Sequence, residues 1–217
     1  MEITWFGHSC FRLTERGMAT VITDPFDHNA VGFFPLKLKG DIVTCSHAAP
    51  GHNYLAGVKG EPYVIACPGE FEIGGVFITG VQTNGVHKKA SENGLVRNTL
   101  FLIQYEGLNV VHLGDMDRVP SQAQVESLGD VHVLMVPVGG GTGLNAAKAA
   151  ETISLLEPHI VVPMHYGVPE CKLELEPLSK FLKAMGLKDV ETVPSLKIAN
   201  ARTLPEETQV VVLDYKS

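Results

Sequence analysis

The sequence has no CxxC pair, no long apolar run and no cluster of basic residues, and each absence removes a class of protein. Its four cysteines, Cys10, Cys45, Cys67 and Cys171, are widely spaced. That argues against a zinc ribbon or a disulfide framework and in favour of reduced thiols. No segment approaches the roughly 18 apolar residues of a membrane span, and the opening MEITWFGHSC lacks the basic and long apolar regions of a signal peptide. A cytoplasmic chain with no membrane partner is expected. The formal charge is -7, and basic residues cluster no further than pairs such as Lys88-Lys89, so no nucleic-acid partner is expected either. Internal repeats, low-complexity tracts and Pro/Ser-rich linkers are also missing, which leaves one domain over residues 1–217.

What is present is a series of apolar, β-branched runs broken by Gly, Pro and Asn, with 45% hydrophobic residues overall. The runs predict strands near 2–6, 10–14, 19–23, 42–45, 63–66, 76–81, 100–105, 108–112, 131–137, 160–163 and 208–213. Helical spacing with Pro or Gly stops predicts helices over Pro120 to Leu128, Asn145 to Glu157 and Glu176 to Met185. Hairpins come first and strand-helix alternation later, which points to an α+β protein of stacked sheets with helices outside. The polar segment 84–98, NGVHKKASENGLVRN, reads as a loop able to border a site.

Several of the nine histidines follow hydrophobic strands. DIVTCSH ends at His47, VFITGVQTNGVH at His87 and HIVVPMH at His165, while LNVVHLGD brings Asp115 to a similar position. Strand ends of one sheet open onto one edge, so these four side chains could converge. Imidazole and carboxylate suit zinc, iron or manganese, and a catalytic ion needs about three protein ligands plus an open position. Such an ion lowers the pKa of its water to roughly 7, supplying hydroxide for hydrolysis at neutral pH. His28, His132 and His159 lack this placement and read as structural or exposed. His8 and His112 fall between, His112 as a partner that orients a ligand.

Seven segments in order, WFGHSCF, TDPF, SHAAPGH, PGEFEIGGV, HLGDMD, VPVGG and PMHYG, resemble the metallo-β-lactamase superfamily. They look most like its compact branch of zinc-dependent hydrolases related to the ascorbate-6-phosphate lactonases. The resemblance covers nearly the whole chain and implies a four-layer αββα sandwich with a dinuclear site at one edge. It implies metal ligation by His47, His52, His87, Asp115 and His165, with Asp115 bridging and with Asp115 and His52 catalytic. Ala49 stands where the signature has its second His, and Gly51 where it has its Asp, so each metal position lacks one ligand. Neither replacement can coordinate through its side chain. One ion completed by His8, Glu70 or water, two weakly held ions, or a metal-free binding module all follow from these residues. The family likeness makes zinc the first expectation, with manganese or iron as alternatives. The expected reaction is hydrolysis of an ester, lactone or phosphoester of a small molecule.

Other features carry structural readings beside functional ones. Asp24 in TDPF is either an acid supporting the metal ligands or a turn residue. The glycines of VPVGGGTGLN either permit a tight turn or offer backbone N–H groups to a phosphate. Glu70 and Glu72 lie one strand period apart and read as part of a hairpin closed by Gly74-Gly75. Cys45 and Cys67 read as small buried hydrophobes.

Overall fold

A computed structural model describes residues 1–83 and 97–216. Among these, thirteen strands make up two main sheets: β1 (Glu2–Gly7), β2 (Cys10–Thr14), β3 (Val21–Thr23), β4 (Ile42–Thr44), β5 (Tyr63–Ile65), β6 (Gly69–Ile73), β7 (Val76–Thr83), β8 (Asn98–Tyr105), β9 (Leu108–His112), β10 (Val133–Pro137), β11 (Ile160–Met164), β12 (Leu196–Lys197) and β13 (Gln209–Val210). The first sheet has the order β12-β1-β2-β3-β4-β5, and the second the order β13-β11-β10-β9-β8-β7-β6.

Strand periodicity explains why the sheets stack. In the first sheet Phe11, Leu13, Val21 and Ile42 face the second sheet, while Cys10, Ile22 and Val43, their neighbours along each strand, join a separate cluster with Phe26 and Phe33. Both faces of this sheet are therefore covered. Strands β8, β10 and β11 are buried along almost their whole length, as strands sandwiched on both faces must be. On the outer side of the second sheet lie α3 (Ala146–Leu156) and α4 (Leu178–Ala184), whose Ala149, Ile153, Leu156 and Phe181 enter the main core. The other outer layer is thin: α1 (His28–Val31) is a single turn, supplemented by the loop carrying Phe26 and Phe33. The result is the four-layer αββα sandwich of an α+β protein.

The expected helices begin two residues late in two cases, for local reasons. Helix α2 (Gln122–Leu128) starts after Ser121, whose side chain and that of Gln124 form a reciprocal capping box, leaving Pro120 outside. Helix α4 starts after Pro177, which serves as its N-cap. The expected strand 208–213 is divided, because Gln209–Val210 pairs with β11 whereas Val212–Leu213 pairs with Thr192–Val193. The hairpin closed by Gly74 and Gly75 is present, and both glycines have positive φ as a tight turn between β6 and β7 requires.

Strand direction positions the site. Strands β3, β4 and β5 are parallel, and β1 runs the same way because β2 is antiparallel to both β1 and β3. Strands β9, β10, β11 and β13 are parallel in the second sheet. In mixed α/β sheets, ligands bind outside the carboxyl ends of such strands.

Candidate metal centre

Five strand ends deliver side chains to one buried point. His8 follows β1, Asp24 follows β3, His47 and His52 follow β4, Asp115 follows β9 and His165 follows β11. The convergence expected at one sheet edge is thus drawn from two sheets, with the seam between them as the site. Three of these residues, His8, Asp24 and His165, hold positive φ values of 51, 37 and 52°. Non-glycine residues adopt that region at a cost, and such strain concentrates at functional sites.

The imidazoles present their ε nitrogens to the common point. His8 Nε2 lies 3.2 Å from His52 Nε2. His165 Nε2 is 3.4 Å from Asp115 Oδ1, and His47 Nε2 and His52 Nε2 are each 4.0 Å from Asp115 Oδ2. All five side chains are buried. One ligand atom each from His8, His52 and His165 lies within 4.8 Å of the others, and the same holds for His47, His52 and Asp115.

The supporting contacts fix ring orientation. Asp24 accepts hydrogen bonds from the Ser46 amide (2.7 Å), the Ser46 hydroxyl (2.6 Å) and His52 Nδ1 (2.8 Å). Holding His52 by Nδ1 leaves its Nε2 for the cluster, the usual arrangement behind a metal-bound imidazole. His47 Nδ1 is similarly 3.1 Å from Ser46 Oγ. Buried His112 accepts from the Gly114 amide at Nδ1 (3.2 Å), so its Nε2 donates to Ser9 O (2.9 Å). It thereby ties the turn bearing His8 to the loop bearing Asp115. Asn98 completes that loop, accepting from the Asp115 amide (2.9 Å) and donating to Leu113 O (2.9 Å).

Burial and charge act against each other here. Burial lowers His8 well below the ordinary imidazole value, and the neighbouring rings of His165, His52 and His47 add to this. Burial likewise keeps His165 low. For His52 burial also works downward, but the charge and hydrogen bond of Asp24 outweigh it and the ring is raised. Burial works to raise the carboxyls of Asp24 and Asp115, yet the facing histidines, His52 and His165 respectively, hold both below the usual carboxylate range. The site therefore sets the imidazoles of His8 and His165, held toward the neutral form with lone pairs to give, against the Asp115 carboxylate, held toward the ionised form. Nitrogen and carboxylate donors in a buried, tightly spaced set are what zinc, iron or manganese require, so the residues fit an ion.

Among the described residues, not every expected one joins the cluster. His87 lies outside the described residues. Glu70 is exposed on edge strand β6, paired with Thr79 across the hairpin, and is not among the clustered groups. Cys45 is buried, and burial pushes its thiol up to about 12, whereas Cys67 is exposed, contrary to expectation. The rings of His132 and His159 stack on each other, with centroids 5.6 Å apart, and His159 Nδ1 bonds Pro205 O. Ser46, Asn98 and Thr142, which hydrogen-bonds Asp115, had no sequence signal beyond their neighbours in the motifs.

Beside His165 opens a cavity of about 980 Å³, lined by Gly139 to Gly143, Arg118, Lys148 and Glu176 among others. The glycine loop follows β10 and enters α3, where Asn145 accepts from the Lys148 amide as N-cap.

Known proteins resemble this chain in sequence and fold. Residues 2–165 match the family described as a beta-lactamase superfamily domain. A UPF0173 protein of Pyrococcus furiosus is 29% identical over 88% of this chain and 98% of its own length. A UPF0173 metal-dependent hydrolase of Archaeoglobus fulgidus is 26% identical over 89% of this chain and 95% of its own. Among solved structures, a candidate Zn-dependent hydrolase of the metallo-β-lactamase superfamily from Thermotoga maritima is 36% identical, covers 99% of both chains and superposes with a TM-score of 0.78. With a family match over most of its length and a similar structure over nearly all of it, this chain belongs to the metallo-β-lactamase superfamily.

Proposed function

We propose that the protein is a metal-dependent hydrolase, zinc being the favoured ion and manganese or iron the alternatives, acting on an ester, lactone or phosphoester of a small molecule. The observation that carries this reading is the convergence of His8, His47, His52, His165 and Asp115 from four strand ends. His47, His52, His165 and Asp115, together with His87, would hold the ion or ions. When bound, the ion supplies Lewis acidity and a water acidified to a pKa of roughly 7. Asp24 fixes the His52 ring through Nδ1. Asp115, held toward the ionised form among the imidazoles, would hold the ion and would be the carboxylate placed to accept a proton from its water.

Substrate enters through the cavity beside His165, whose volume falls within the range typical of small-molecule sites. Its lining sets Arg118 and Lys148 against Asp117, Glu174 and Glu176. That balance favours a substrate with one polar or anionic group over a polyanion, and a lactonase-like substrate would set its phosphate against the glycine loop. No helix among the described residues is long and apolar enough to cross a membrane, and we assign the activity to the cytoplasm.

The test is the metal content of protein purified without chelator or affinity-tag metal, followed by aryl-ester, lactone and phosphoester screening. About one or two equivalents per chain, with chelator-sensitive hydrolysis, is expected. Absence of metal, and none taken up on reconstitution, overturns the reading in favour of a metal-free binding module, the alternative raised by Ala49 and Gly51.

A further inference from the structure

Gly51 occupies the signature's Asp position, and its backbone is not what excludes a side chain, since its φ lies outside the left-handed region. The space is already taken. A Cβ on residue 51 would stand 2.9 Å from His8 Nε2 and 3.2 Å from Val31 Cγ1. An imidazole nitrogen from the β1–β2 turn therefore fills the volume into which a carboxylate at position 51 would project.

His8 is held there at some cost. It is buried, its backbone has φ 51°, and its Nδ1 finds no partner among the described residues. The strained turn is secured through the His8 carbonyl, which accepts from the Trp5 indole (3.1 Å) and from the His165 amide (3.1 Å), so His8 and His165 are linked through the main chain. Polar contact of the ring occurs at Nε2, 3.2 Å from His52 Nε2. Two nitrogens each about 2.0–2.1 Å from a tetrahedral ion stand roughly 3.3–3.4 Å apart, so this spacing is that of two ligands on one metal. The His8 and His165 ring centroids are 4.4 Å apart, which brings the third imidazole to the same point.

We propose that His8 is a metal ligand that has taken over from the motif's missing Asp, so that the second metal position gathers three imidazoles, His8, His52 and His165, beside the Asp115 carboxylate. This rests on the reading above that the protein binds metal. The exchange replaces an anionic oxygen donor with a neutral nitrogen. Imidazole suits zinc, copper, nickel and iron, whereas carboxylate suits manganese, magnesium and calcium, so the exchange shifts this position toward zinc and away from manganese.

The experiment titrates chelator-treated protein with Co(II) and with Mn(II), reads the Co(II) visible spectrum, and measures bound zinc per chain by mass spectrometry. The forms compared are the natural protein, His8→Asn, which suits the left-handed backbone, and His8→Asn combined with Gly51→Asp. Loss of a group that merely supports a ligand weakens metal binding about 10–100-fold. His8→Asn is expected to weaken Co(II) binding at one position by more than about 100-fold, beyond that range. Adding Gly51→Asp is expected to restore binding while shifting preference toward Mn(II), because the carboxylate returns to the vacated space. In the unmutated protein, long-range ¹H–¹⁵N spectra should show His8 Nε2 moving to a metal-bound position on zinc addition. Unchanged Co(II) affinity in folded His8→Asn, or a His8 ring unmoved by zinc that does bind, overturns the ligand assignment and leaves the hydrolase reading standing. A natural protein that takes up no metal overturns both.

Discussion

At the scale of single residues, each side chain in the centre has a separable task. His165→Ala should lower bound metal and hydrolysis together, by more than about 100-fold in affinity, as measured by metal titration. Unchanged stoichiometry would remove His165 from the ligand set. Asp24 acts one step back, through its 2.8 Å bond to His52 Nδ1. Asp24→Asn should therefore leave metal stoichiometry intact at saturation while weakening affinity about 10–100-fold. The thiols give an independent check on burial. Exposed Cys67 should react readily with an alkylating reagent, while Cys10 and Cys45, buried and with thiol pKa values pushed up by burial, should react only after unfolding. Rapid labelling of Cys45 in folded protein would contradict the arrangement around β4. The donors at 47, 115 and 165 were legible because each follows an apolar run, whereas His52 was indicated only by the family resemblance. The exposure of Cys67 was not, since a cysteine beside a strand has no local mark telling which way it faces.

At the scale of elements, the site depends on how strands end. After β9 the chain turns at Gly114, with φ 60°, and an added Cβ would stand 2.4 Å from both Asn98 Oδ1 and Ser46 Cβ. Gly114→Ala would strain the backbone and push apart the two loops that carry Asp115 and His47. A loss of about 2–3 kcal/mol in stability is expected from chemical denaturation, together with weakened metal binding. A variant as stable as the natural protein would show that this turn does not fix Asp115. The eleven strand segments read from the sequence all contain observed strands, because β-branched runs between Gly, Pro and Asn have few other uses. Helix starts were displaced by two residues where capping by Ser121 and Pro177 decided the boundary. The division of the last strand depended on its partners, β11 and Thr192–Val193, which periodicity cannot reveal.

At the scale of the whole molecule, burying so many imidazoles has a consequence for stability. Burial lowers His8, His112 and His165 below the unfolded value near 6.5, while His52 alone of this group is raised, by Asp24. In metal-free protein below about pH 6.5, the unfolded chain takes up protons that the three lowered rings refuse, so stability falls with acidification. The His52 contribution has the opposite sign, being full below its unfolded value and lost as pH rises through the folded one, but it is one ring against three. Chelator-treated protein should melt at a lower temperature at pH 5.5 than at pH 7.5, and each kcal/mol lost corresponds to about 2–4 °C in a chain of this size. A melting temperature that rises on acidification would mean that the Asp24–His52 pair dominates.

The sequence by itself determined most of the strands, the covering helices and the donor types that follow apolar runs, and its family resemblance marked Ala49 and Gly51 as departures from the signature. These are local properties, carried by side-chain period and by residue chemistry within a few positions. Tertiary structure alone decided that the strand ends of two sheets meet at one seam and that His8, far from residue 51 in the chain, occupies the space left by Gly51. Such a replacement is invisible along the chain because it is set by packing across the sandwich, where proximity depends on how the sheets stack and no longer on distance in sequence.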